Sequence, residues 1–155
     1  MYVFAIFAVM AMLIAGYETF GAEQMMSAYR ASTQSLALNM AEYRQSVIDY
    51  VLAHPSFQGR VSANQLPSSA HYAPNALWQN YVQGNTVIVY PTSPVSPELV
   101  VDIARLAQGS VFAGSAQNGN EVPPGNPSVA IPLPAAIAAS IPNGMPVWLA
   151  QVYPG

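Results

Sequence analysis

Neither cysteine nor lysine occurs in this chain of 155 residues, and charged side chains make up only 7% of it, against roughly a quarter in an ordinary soluble domain. Without cysteine there is no disulfide framework, no thiolate metal site and no thiol nucleophile. Without lysine, Ser-x-x-Lys chemistry is excluded. The only permanent side-chain cations are Arg30, Arg44, Arg60 and Arg105, and seven acids bring the net charge to −3. No basic surface is available to neutralise a phosphate backbone, so nucleic acid is not an expected partner. The length fits one ordinary domain with an appendage.

What the chain has in quantity is apolar sequence, 52% of all residues, and its densest stretch lies at the amino end. From Met1 to Tyr17 no side chain carries a charge. Read as a helix at about 1.5 Å per residue, residues 1–20 cover roughly 30 Å, the thickness of a bilayer core. The expectation is a transmembrane anchor over 1–20. Glu18 falls near its far end beside Tyr17 and Phe20, as a membrane-interface candidate that is either hydrated there or paired with a neighbouring subunit. A cleaved secretory signal competes with this reading, but no Lys or Arg precedes the apolar run and its cleavage motif is weak. A core helix apolar all round would need walls that this chain has few residues to build.

Residues 22–53 contain neither glycine nor proline, which predicts an amphipathic helical stem. Met26, Tyr29, Thr33, Leu36, Met40, Tyr43, Val47 and Tyr50 follow alternating spacings of three and four. Such a stripe keeps facing one way over four heptads and is the candidate interaction surface. Ile48, Val51 and Leu52 broaden it in the second half into the face of an ordinary packed helix, whereas the narrower first half suits contact with another chain. The charges around it, Glu18, Glu23, Arg30, Glu42, Arg44 and Asp49, read as solvated positions.

His54-Pro55 ends the stem, and residues 54–155 read as a head domain. Asn75 is placed to cap a short helix over 76–81, and Thr86–Tyr90 is a β-branched and aromatic strand. Ser96-Pro97-Glu98 starts a helix that stops at Gly109. Ser110–Ser115 is a strand candidate, and Asn118-Gly119 suits a hairpin turn with positive φ. Prolines 123, 124, 127, 132 and 134 keep the strands around them short or at an edge. A helix opened by Pro134 and running through Ile137 to Ile141, and a last strand over 147–153, complete the chain. The fold class is α+β: a long amino-terminal helix followed by a small antiparallel β-sheet head with short helices.

Chemistry is scarce. His54 and His71 have no metal-ligand spacing, and there is no nucleophile elbow or glycine-rich phosphate loop. Asp49, Glu98 and Asp102 read as helix charges, and with Glu121 they form no evident acid/base pair. No catalytic, metal or cofactor-binding residue is expected. The alternative, an exported cell-wall or peptide hydrolase, would rest on His71 with a serine and Asp102.

An anchor, a continuous stem and a small Gly/Pro-rich head have the outline of a pilin-like protein, but the pilin leader signature is absent. The anchor over 1–20, Met40-Ala-Glu-Tyr-Arg44, Leu77-Trp78 leading to Val87–Tyr90, and Ile141–Gly144 before Val147-Trp148 resemble the PilM family of type IVb thin-pilus systems, including those carried with conjugative plasmids. That family is distinct from the actin-like cytoplasmic protein sharing the name. The resemblance implies a non-enzymatic component of pilus biogenesis, in the basal body or pilin export apparatus. It also implies a single-pass inner-membrane location, a periplasmic head, other pilus-assembly proteins as partners and a possible homo-oligomer. A minor pilin that enters the fibre is the alternative within pilus biology.

Overall fold

The computed structural model describes the backbone of residues 2–66 and 75–153, and side chains of the first helix from Gln24 onward. Helix α1 runs Tyr2–Ala53. It ends where expected, at His54-Pro55, with the His54 amide donating to the Val51 carbonyl at 3.1 Å. The chain divides into two compact units, residues 1–33 and 34–155.

The expected single-pass inner-membrane location, with its periplasmic head, finds no support in the structure. Among the described residues no helix is long and apolar enough to cross a membrane, and the side chains of the expected anchor over 1–20 lie outside those residues. A crossing helix needs about 20 predominantly apolar residues. From Gln24 onward α1 carries Ser27, Arg30, Ser32, Thr33, Gln34, Ser35 and Asn39 within its successive turns, so its apolar side chains make a stripe and never a continuous run. Glu18 lies outside the described side chains.

The second unit is a six-stranded antiparallel sheet with helices on both faces, the expected α+β class. Its strands are β1 (Trp78–Gln83), β2 (Thr86–Pro91), β3 (Ala113–Gln117), β4 (Asn120–Val122), β5 (Ile131–Pro132) and β6 (Pro146–Gln151), in the order β1-β2-β6-β3-β4-β5. Helix α2 (Glu98–Leu106) joins β2 to β3, and α3 (Ala135–Ala138) joins β5 to β6.

The period of two in each strand separates two cores. On one face Trp78, Val82, Val87, Val89, Trp148 and Ala150 pack with Ala37, Met40, Tyr43, Val47 and Val51 of α1 and Leu99 and Ile103 of α2. On the other, Ile88, Tyr90, Ala116, Val147 and Leu149 pack with Leu133, Ile137 and Ile141. Strands β2 and β6 are buried on both sides, which explains why they read as continuous apolar runs.

Local signals hold at several turns. Gly84 adopts φ +56° in the two-residue link between Gln83 and Thr86, and Asn118-Gly119 turns the β3–β4 hairpin with φ +50° and +78°. Ser96 Oγ accepts the Glu98 amide at 3.2 Å where α2 begins. The expected helix over 76–81 is instead strand β1. Asn75 Oδ1 does accept the Leu77 amide, at 3.0 Å, but this closes a local Asx turn rather than a helix cap. Trp78, Asn80 and Val82 then alternate inward, a period disguised by the polar residue at its centre. The last helix, Ala135–Ala138, begins after Pro134 as expected and stops short of Ile141.

Candidate functional site

The helical stripe divides along its length. In the first unit Met26 and Tyr29 are exposed, at 56% and 47%, and neighbouring Met25 at 76%. Thr33 is buried, its Oγ1 donating to the Arg30 carbonyl at 3.0 Å. In the second unit Leu36 and Tyr50 are half-buried while Met40, Tyr43 and Val47 are fully enclosed. Met40, Tyr43 and Val47 thus make the second half an internal core face, with Leu38 and Leu52 exposed beside it, whereas in the first half the stripe's own Met26 and Tyr29 face solvent.

Polar groups fix how the second half of α1 meets the sheet. Asn80 is buried at the centre of β1, and its Nδ2 donates to the Tyr43 hydroxyl at 2.7 Å and to the Val61 carbonyl at 2.9 Å. Its Oδ1 accepts the Val61 amide at 2.8 Å, so one side chain substitutes for a strand partner along this edge, beside the Gly59–Val82 bridge. Burial pushes the Tyr43 phenol above its ordinary range, partly offset by the Asn80 hydrogen bond. Trp78 Nε1 donates to Asn39 Oδ1 at 2.7 Å.

Arg44, expected to be solvated, is half-buried. Its Nε donates to the Leu149 carbonyl at 3.0 Å and its guanidinium lies 5.1 Å from the Trp148 ring centroid. The Leu149 amide bonds to Phe112, one residue before β3 begins, so this carbonyl faces the same side beyond the strand's end, where Arg44 supplies the donor. Loss of hydration lowers the basicity of this guanidinium.

The other ionisable residues are dispersed. Asp49 accepts from Gln45 at 2.8 Å, and Asp102 pairs with Arg105 at 3.0 Å on the surface of α2. Glu98 is exposed in the first turn of α2. His54 stacks on Tyr50 with ring centroids 4.2 Å apart, and its Nδ1 lies 2.9 Å from the Tyr50 carbonyl. His71, on which the hydrolase alternative rested, lies outside the described residues. Among the described residues no three of His, Asp and Glu converge as a metal site.

Glu121 is the exception. On β4 it pairs with Ala116 on one side and Ile131 on the other, so its side chain shares their face, toward α3. It is 0% exposed and neither carboxylate oxygen has a hydrogen-bond partner among the described residues. Desolvation raises its pKa from 4.5 to about 7. Space for it comes from Gly114, where a Cβ would collide with the Glu121 carboxylate and the Val122 carbonyl. Sequence reading grouped Glu121 with the remaining acids. A lone acid between a hairpin turn and a proline cluster was its only signal.

The comparison that decides the family covers nearly the whole chain: the PilM family profile matches residues 8–149. The chain belongs to the PilM family. Among solved structures it is similar to the crystal structure of PilM from Escherichia coli B7A, with a TM-score of 0.54 and 20% sequence identity, covering 79% of this chain and 94% of that one. At that identity the likeness shows a shared fold. A search of curated protein sequences gives no match. PilM membership places the chain in a pilus-related context and assigns no residue a chemical role.

Proposed function

We propose that this PilM protein acts in pilus assembly by protein–protein contact, as a non-enzymatic component of the basal body or pilin export apparatus, with the first half of the α1 stripe as its contact surface. The observation that carries this reading is the exposure of Met25, Met26 and Tyr29 along one helix while Met40, Tyr43 and Val47 of the same stripe are enclosed. Large apolar side chains grouped in solvent mark a contact surface more often than a bare one, and a few such anchors carry most of an interface's free energy. Other pilus-assembly proteins or a second copy of the chain are the partners this surface suits.

The test is a photo-cross-linking residue at Met26 in pilus-producing cells, together with Met25→Glu/Met26→Glu. A cross-linked pilus-assembly protein or dimer, and loss of pili at unchanged protein level, are expected. Normal piliation in the double variant would overturn the reading.

A further inference from the structure

The buried acid on β4 lies beside the shortest strand of the sheet. Strand β5 has two residues and two register pairs, Asn120 with Pro132 and Glu121 with Ile131, and it forms the sheet's outer edge. Pro132 has no N–H to give the ladder. The segment is held further by the Leu133 amide, which donates to the Gly119 carbonyl at 2.9 Å. Residues 131–134 also form one wall of an open groove of about 420 Å³, whose floor includes Ile88 and Leu149.

Among the described residues no charge compensates Glu121 in this position. Strands β3, β5 and β6, helix α3 and the loops over 107–112, 123–130 and 139–145 contain no ionisable side chain. On β1 and β2 the same face carries only Tyr81 and Tyr90, the latter accepting a hydrogen bond from Arg60 Nη2 at 3.0 Å. An ionised carboxylate enclosed here would lack both water and a counter-ion. The least costly relief is to open the edge segment paired beside it, because a two-residue edge strand gives up the fewest contacts.

We propose that Glu121 is a proton-operated latch on the β5 edge: as the carboxylic acid it lets residues 131–134 seat against β4, and as the carboxylate it releases them and widens the groove they wall. The transition needs no reagent other than a proton exchanged with water. It does not depend on the assembly role proposed above, since Glu121, Ile131 and Leu133 lie on the opposite face of the sheet from α1.

The closed state binds the proton with a pKa of about 7 and an exposed glutamate with 4.5. The opening constant should therefore rise about tenfold per pH unit between these values and level off above the higher, about 300-fold in all. Hydrogen exchange on the full chain between about pH 5 and 8, corrected for intrinsic rates, should show this rise at the Leu133 amide, with an opening constant well above that of the β2 amides, which open only with the whole fold. Glu121→Gln should abolish the slope. Equal slopes in the two proteins, or one opening constant shared by Leu133 and the β2 amides, would overturn the latch. Should the glutamine variant fail to fold, NMR titration of the wild-type Glu121 carboxyl carbon decides: a midpoint near neutrality supports the latch, and one in the ordinary glutamate range refutes it.

Discussion

Gly114 leaves empty the volume that the Glu121 carboxylate occupies. The two residues lie on neighbouring antiparallel strands, and a methyl group on Gly114 would overlap both that carboxylate and the backbone carbonyl of Val122. A flexible side chain alone would swing aside, but the Val122 carbonyl belongs to the β3–β4 ladder and cannot move without disturbing it.

Gly114→Ala should therefore destabilise the protein by about 1–3 kcal/mol or more, the usual cost of overpacking a closed core. Urea denaturation followed by tryptophan fluorescence measures it. Combining it with Glu121→Ala should restore only part of the loss, because the clash with the Val122 carbonyl persists.

Stability should fall with pH over a defined window. Glu121 holds its proton more tightly folded than unfolded, so its contribution is complete below about 4.5, declines as pH rises, and is gone above about 7. The whole decline amounts to about 3 kcal/mol as an upper bound. Denaturation midpoints of wild type and Glu121→Gln, compared across this range, isolate the effect from other titrating groups. The difference between the two proteins should grow with pH in favour of the glutamine variant and then stay constant.

Two methionines of one stripe should respond oppositely to the same truncation. Met40 is fully enclosed between α1 and the sheet, and Met26 is 56% exposed. Met40→Ala should cost about 2–5 kcal/mol, whereas Met26→Ala should change stability by less than about 0.5 kcal/mol. Thermal unfolding of the two variants beside wild type checks both.

Much of the architecture was legible in residue order because its causes are local. The absence of Gly and Pro over 22–53 and the three-four spacing predict a helix with one apolar side, and His54-Pro55 predicts where it stops. Gly84, Asn118-Gly119 and Ser96-Pro97-Glu98 act through the φ values and hydrogen bonds of their immediate neighbours. The misreading at β1 has an equally specific cause. Asn80 occupies an inward position that pattern reading reserves for apolar residues, and its suitability depends on Tyr43 and Val61, 37 and 19 residues away.

The sequence by itself thus determined the α+β class, the long helix with its stripe and the turns that punctuate the head, since each depends on dihedral preferences and periodicity within a few residues. Only the tertiary structure decided that the last strand enters between β2 and β3, that Arg44 completes a strand carbonyl and that Glu121 is enclosed without a partner. Those outcomes depend on which distant segments meet. Burial raises the cost of a charge through everything packed around it, and no single stretch of sequence carries that surrounding.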